Sequence, residues 1–431
     1  MTLFSLDESQ IFEAIRAITP HRSPDERAPR ESSNEDAEVA ERFARAAWSG
    51  IAEPGDLVAG VVVRALGAGP ALMALVERHS RSRVLDSLAT AGVDEVKPSV
   101  LATALERWMP RLTAGSALSS LRLAARCGAR LVVPGDEEWP GSFGDLGEHE
   151  PLALWVRGDL NALNRMSHTV SLVGARAATG YGEHVAMELS AGLIDRKMGI
   201  VSGAAYGIDG MAHRAALASS GFTAAFLAGG VDRFYPSGHD ALLTRITKVG
   251  AVISELPCGS PPTKWRFLQR NRLIAAASKA TVVVEAGSRS GSLNTAAHAS
   301  SIGRPVGAVP GPVTSLSSAG CHRLLREYGA ECVTNADEVM ALFTPVSDNE
   351  PRLDTPITQA AAGPASERRQ QHRSSDEVRL ADALSSRAPR LTADIAKRSG
   401  LSISRTSSLL GSLSLAGSVV EGERGWKKIE P

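Results

Sequence analysis

Short apolar runs alternate with longer amphipathic stretches through the middle of the chain. SLVGAR, GIVSGA, TAAFLAG, AVISEL, TVVVEAG and PVGAVPG are β-rich, and each ends in or runs into glycine or a small polar residue. Between them lie stretches with helical spacing, such as GEHVAMELSAGLIDRK and DALLTRITKV. Apolar strands alternating with helices predict a mostly parallel sheet covered on both faces. Right-handed crossovers then make residues 131–345 a Rossmann-like, doubly wound α/β domain.

The flanks follow other patterns. Residues 1–130 predict a helical, SAM-like region, with a charged, turn-rich mobile insertion near 22–38. Residues 346–375 have almost no aliphatic periodicity and are expected to be a disordered linker. Residues 376–431 carry helices in DEVRLADALS, LTADIAKRSG and SISRTSSLLGSLSLAG, followed by the hairpin-like SVVEGERGWKKIE. That is a winged-helix pattern, with Thr392 and Ser402 placed as N-caps. Its third helix, which would usually enter a DNA groove, offers one basic residue, Arg405. Docking on a partner therefore competes with DNA reading as the unit's role.

Composition narrows the function classes. The 431 residues include 47 Lys+Arg and 47 Asp+Glu, 43% apolar and 22% charged residues. A neutral chain has no global attraction to nucleic acid or membrane, so any such site must be a local cluster. Cys127, Cys258, Cys321 and Cys332 make no CxxC pair, which suits a reducing cytosol better than disulfides or a zinc site. MTLFSLDESQ lacks the positive flank and apolar core of a secretion signal. The apolar window DLVAGVVVRALGAGPALMALVE is interrupted at Arg64 and again at Gly67 to Pro70, as in a pair of core helices. A cytoplasmic protein without membrane partners, metal or cofactor is expected.

Ligands of doubly wound sheets bind beyond the carboxyl ends of the strands. The loop GARAATGYGEH, with Gly174 and Arg176, is not GxGxxG, and the next strand ends in Ser202 and Gly203 with no ribose-binding acid. That counts against a dinucleotide. The loop still opens a helix, whose free N–H groups favour an anion. Arg176 would either grip a phosphate or make a salt bridge at the sheet edge. Asp209 and His213 share a helix face. They read as an acid–base pair or as a capping Asp with a packed His, the second being the simpler. RSGSLNTAAH brings Ser290, Gly291 and Asn294 to a strand–helix junction, a second phosphate cradle or a turn with capping hydroxyls.

The stretch KWRFLQRNR, residues 264–272, departs locally from neutrality. On a helix Arg266 and Arg270 share a face, whereas Arg270 and Arg272 point about 200° apart. Lys264 lies nearest the strand ends, and Arg272 is the member expected to be structural. Two readings stay open: buried rings with solvated charges, or a stacking platform worth about 1–3 kcal/mol per base with cations on phosphates.

Taken in order, VGAR, VSGAAYGID, AGGVDRFYP, SELPCGSPPTKWRFLQRNRLIAA, VVVEAGSRSGSLNTA and AVPGPVTSLSSAGCHRLL resemble the bacterial DNA-processing protein family DprA, also called Smf. The likeness covers about residues 130–340. It implies a homodimer that binds single-stranded DNA, protects incoming strands in natural transformation and loads the recombinase RecA. By motif, Gly174 and Arg176 would hold a phosphate, Lys264, Phe267 and Arg270 would line the pocket, and Asn271 would brace it. Dimer contacts would fall around Cys321 to Phe343. Ala175, Tyr206 and Leu268 depart from the Ser, Arg and Pro usual in those motifs. The alternative is a nucleotide or nucleoside phosphoribohydrolase-like enzyme using Glu285, although VEAGSRSGSLNTA lacks the PGGxGT-type loop of such enzymes.

Overall fold

The computed structural model describes residues 2–3, 6–19, 32–344, 374–422 and 424–429. Helices from Glu8–Arg16 to Ala114–Cys127 precede the sheet. The insertion expected near 22–38 lies partly outside the described residues. Its remainder begins the helix Ser32–Ile51, in which Glu38 pairs with Arg42 at 3.2 Å. The apolar window forms two helices, Leu57–Leu66 and Ala68–Val76, bent by 109°. Gly67 makes the break at φ +83°, a conformation costly for residues with a Cβ. Val62, Val63, Leu72 and Leu75 are buried there in a core shared with Trp155, Ala225 and Val252 of the sheet. No single helix among the described residues is long and apolar enough to cross a membrane.

Nine strands form the central sheet. In chain order they are β1 (Arg130–Val132), β2 (Leu154–Gly158), β3 (Thr169–Gly174), β4 (Gly199–Ser202), β5 (Thr223–Phe226), β6 (Ala251–Ser254), β7 (Ala280–Glu285), β8 (Val306–Ala308) and β9 (Glu331–Cys332). Their order across the sheet is β9-β8-β7-β3-β4-β5-β6-β2-β1. β9 through β6 pair in parallel, while β2 joins β6 and β1 joins β2 antiparallel. Each of the six apolar runs supplies one parallel strand. Both antiparallel strands, and β9, escaped the sequence pattern because they are short or lie outside the alternation.

The helices that frame the site are α1 (Gly180–Asp195), α2 (Ile208–Ala218), α3 (Lys264–Ala276) and α4 (Ser292–Ser301). The chain runs outward from β3 to β6, then returns to lay β7 on the other side of β3. The order therefore reverses between β3 and β7, the place where open α/β sheets leave a crevice. There Ala175 N–H donates to Glu285 O at 2.7 Å, just past a register shift between Val173 and Gly174.

The C-terminal unit has helices α5 (Ser375–Ala383), Thr392–Ser399 and Ile403–Leu415 and the hairpin Val419–Gly422/Gly425–Lys428, with its own core around Leu380, Ile395 and Leu410. Ser402 caps as expected, accepting from Arg405 N–H at 3.2 Å. Thr392 does not cap: Leu391 holds that position and Thr392 is already helical. The expected linker at 346–375 lies almost wholly outside the described residues, and Ser374 already caps α5 in a capping box.

Candidate nucleic-acid interface

A cavity of about 830 Å³ opens at the reversal between β3 and β7. Gly174, Ala175 and Arg176 supply one wall; Lys264, Phe267, Arg270 and Asn271 supply another; Ser290, Gly291 and Thr295 close a third. Three separate loops thus converge because each follows the carboxyl end of a parallel strand or opens the helix behind it.

The GAR loop is held by an acid rather than by glycine alone. Glu285 is 3% exposed, and its two oxygens accept from Thr179 N–H and Thr179 Oγ1, both at 2.8 Å. The carboxylate proposed for glycosidic cleavage is therefore committed to bracing the loop. Gly207, at φ +74°, lets α2 approach, since a Cβ there would run into the Ala175 carbonyl.

KWRFLQRNR becomes the first turns of α3, and its cations part company. Lys264 is exposed at the cavity mouth. Arg266 turns away to Glu53 of the helical region, donating at 2.9 and 3.3 Å, and to the Pro261 carbonyl. The expectation that Arg266 and Arg270 act on one face is corrected: Glu53 draws Arg266 into a buried ion pair. Arg272 forms a two-pronged pair with Glu255 at 2.8 and 2.6 Å, both side chains buried, as its structural assignment required.

Arg270, although deeply buried, forms part of the cavity lining. It donates to Gly203 O at 2.9 Å and to Phe226 O, tying α3 to the ends of β4 and β5. Burial lowers its pKa to about 10, with nearby Arg176 adding to the fall and Asp209 opposing it. Burial raises the Asp209 carboxyl despite Arg270, and that carboxylate accepts from Gly203 N–H at 3.1 Å. Gly203 is required here because an added Cβ would strike the Arg270 guanidinium.

Phe267 is the aromatic centre. The Arg176 guanidinium lies 4.7 Å from its ring centroid, Arg270 lies 5.9 Å away, and the Tyr235 ring tilts against it at 5.6 Å. Arg176 is exposed, so one face of this cluster is open to a ligand. Asn271 Nδ2 donates to Asn294 Oδ1 at 3.1 Å and to Gly291 O at 3.3 Å, fastening the RSGSLN turn to α3.

Other residues chosen from the sequence sit beside the cavity without lining it. Ser202 is buried and donates to Leu172 O at 2.6 Å, and Asn294 acts through Asn271. His213 is fully buried against Thr223 Oγ1 at 2.7 Å, and burial pushes it down to about 3, so it is a neutral core histidine. Tyr206 packs edge-on against His239 at 4.8 Å. The sequence reading missed Tyr235, which lines the cavity and is 46% exposed. Its motif, AGGVDRFYP, was visible, but nothing in the spacing brings that loop to Phe267. Val378 and Asp382 of α5 were missed for the same reason.

A family model described as DNA recombination-mediator protein A matches residues 130–344, and one for the DprA winged helix domain matches residues 364–423. The putative DNA processing protein DprA of Mycobacterium tuberculosis is 51% identical over 249 residues, 55% of this chain and 64% of the relative. The DNA processing protein DprA of Bacillus subtilis is 31% identical over 252 residues, 58% of this chain and 82% of the relative. The chain belongs to the DprA (Smf) family. The X-ray structure of DprA from Streptococcus pneumoniae superposes with a TM-score of 0.55 at 28% identity, over 71% of this chain and 98% of that one. The matched stretch covers a little under two thirds of the Mycobacterium tuberculosis DprA, 64%. All the loops that build the cavity fall inside the family-matched segment, whereas Asp382 comes from the winged-helix match.

Proposed function

We propose that the cavity between β3 and β7 binds single-stranded DNA and that the chain is a recombination mediator. The observation that carries this reading is one open cavity whose lining joins exposed Arg176, set over the Phe267 ring, with exposed Lys264. Cations track a phosphate backbone, and an accessible ring stacks with any base, which together favour an unpaired strand over a duplex. Gly174, Ser290 and Gly291 present backbone at the same edge, suited to close phosphate approach, and Asn271 with Asn294 holds that edge in place. Arg270, Ser202 and Gly203 serve the pocket by fixing the strand ends to α3. Family membership supports the wider role: protection of incoming strands in transformation, loading of RecA, and work as a homodimer.

The test is a mobility-shift titration of oligo-dT and of a duplex of equal length. Tight binding of the single strand, weak binding of the duplex and a steep loss with salt are expected. Equal affinity for the two, or Arg176→Ala and Lys264→Ala variants that bind like the parent, would refute the assignment.

A further inference from the structure

The N-terminus of α3 is already occupied by an anion, and that anion belongs to the winged-helix unit. Asp382 Oδ2 accepts from the N–H groups of Lys264 at 2.6 Å and Trp265 at 3.3 Å. Thr263 takes the next one, Arg266 N–H, so the first turn of this 13-residue helix is fully engaged. Asp382 and Val378 also line the cavity itself, together with Arg176 and Lys264.

The contacts that seat the winged-helix unit include several polar ones. The Arg379 guanidinium lies 5.4 Å over the Trp265 ring and close enough to Glu53 to lower that carboxyl's pKa. Arg111 Nε donates to Lys397 O at 2.9 Å, and Ser404 Oγ reaches Glu106 at 3.4 Å. Gly400 fits where a Cβ would press on Arg379, Glu53 and Arg111 together. The seat is also imperfect: Trp265 Nε1 is buried there without an acceptor. A few ion-rich contacts and an unsatisfied donor make a surface that can be left, unlike an apolar core.

We propose that the winged-helix unit is an intramolecular competitor for the strand, its Asp382 carboxylate standing where a DNA phosphate would sit on the N-terminus of α3. This rests on the single-stranded DNA reading of the cavity. A helix N-terminus accepts a carboxylate or a phosphate by the same N–H groups and dipole, and it cannot hold both. The competitor belongs to the same chain as the cavity, so it acts at the effective concentration of a linked domain and returns when the strand leaves. Strand binding then undocks the unit, or is weakened by the fraction of molecules in which it stays docked.

The experiment measures oligo-dT affinity by fluorescence anisotropy for the full chain and its Asp382→Ala, Arg379→Ala and Arg176→Ala variants. Hydrogen exchange over residues 264–267 is followed without DNA. Asp382→Ala is expected to bind roughly 5- to 20-fold tighter, the range set by a unit docked most of the time, and to speed exchange in the first turn of α3. Arg379→Ala is expected to bind tighter too, although it removes a positive charge; simple electrostatics predicts the opposite sign. Unchanged or weaker binding by Asp382→Ala, weaker binding by Arg379→Ala, or unchanged exchange overturns the competition. Arg176→Ala separates the two ideas. If it loses affinity while Asp382→Ala binds like the parent, the DNA reading stands and the competition falls. If it loses none, the reading of the cavity falls first.

Discussion

The Arg176 guanidinium rests 4.7 Å from the Phe267 ring centroid, although one follows β3 and the other opens α3. A cation held over a ring by its quadrupole is attracted without being neutralised, so it keeps its charge for a phosphate. The same ring touches Tyr235 on a third loop. Charge and stacking surface are thus delivered to one place by three strand ends.

Arg176→Ala should lower affinity for oligo-dT about 10- to 100-fold, the size of a charge-assisted hydrogen bond of roughly 1.5–3 kcal/mol. The slope of log affinity against log salt should also become shallower by about 0.7, one phosphate contact on a single strand. Anisotropy titrations over a range of salt concentrations read both quantities.

Phe267→Ala should cost about 1–3 kcal/mol of binding by loss of stacking, with the salt slope unchanged. Because the two side chains touch, the Arg176→Ala/Phe267→Ala double variant should lose less than the sum of the singles. Strict additivity would show that the contact carries no binding energy.

Lys264→Ala and Arg272→Ala should separate binding from stability. Lys264 is exposed, so its removal should leave stability within about 0.5 kcal/mol and weaken DNA binding. Removing Arg272 strands the buried Glu255 and should cost about 3–5 kcal/mol of stability. Chemical denaturation beside the anisotropy titration gives both.

Glu53 should make the junction of the helical region, α3 and the winged-helix unit acid-sensitive. Burial alone would raise its carboxyl, but Arg111, Arg266 and Arg379 together drive it well below its usual 4.5. Its folded pKa is thus depressed, and the stability it contributes is present above 4.5 and lost as pH falls toward the folded value. Glu53→Gln should lower the Tm at neutral pH, and the gap from the parent should narrow as pH drops below 4.5. A gap independent of pH in melting curves would contradict this sign.

Much of the molecule was legible from periodicity. The helix expected at DALLTRITKV is Asp240–Val249, and all six apolar runs became the parallel strands they predicted. Gly174 and Arg176 could be placed at a strand end because a doubly wound sheet leaves few alternatives. Helical geometry also separated Arg272 from the other cations of KWRFLQRNR. It misjudged Arg266, because spacing shows which residues share a face but not which acid waits opposite. Glu53 lies far away in sequence, and no local pattern links the two.

Sequence alone determined the α/β alternation, the site edge and the residue types gathered there, since these follow from neighbours three or four positions apart. Tertiary structure alone decided which cations keep their freedom. It paired Arg266 with Glu53 and Arg272 with Glu255, tied the buried Arg270 to the strand ends, and left Arg176 and Lys264 exposed at the cavity. It also set Asp382 against the N-terminus of α3. The reason is physical: a charge's role depends on its partner and on the water around it, and both are set by segments that meet only in the folded chain.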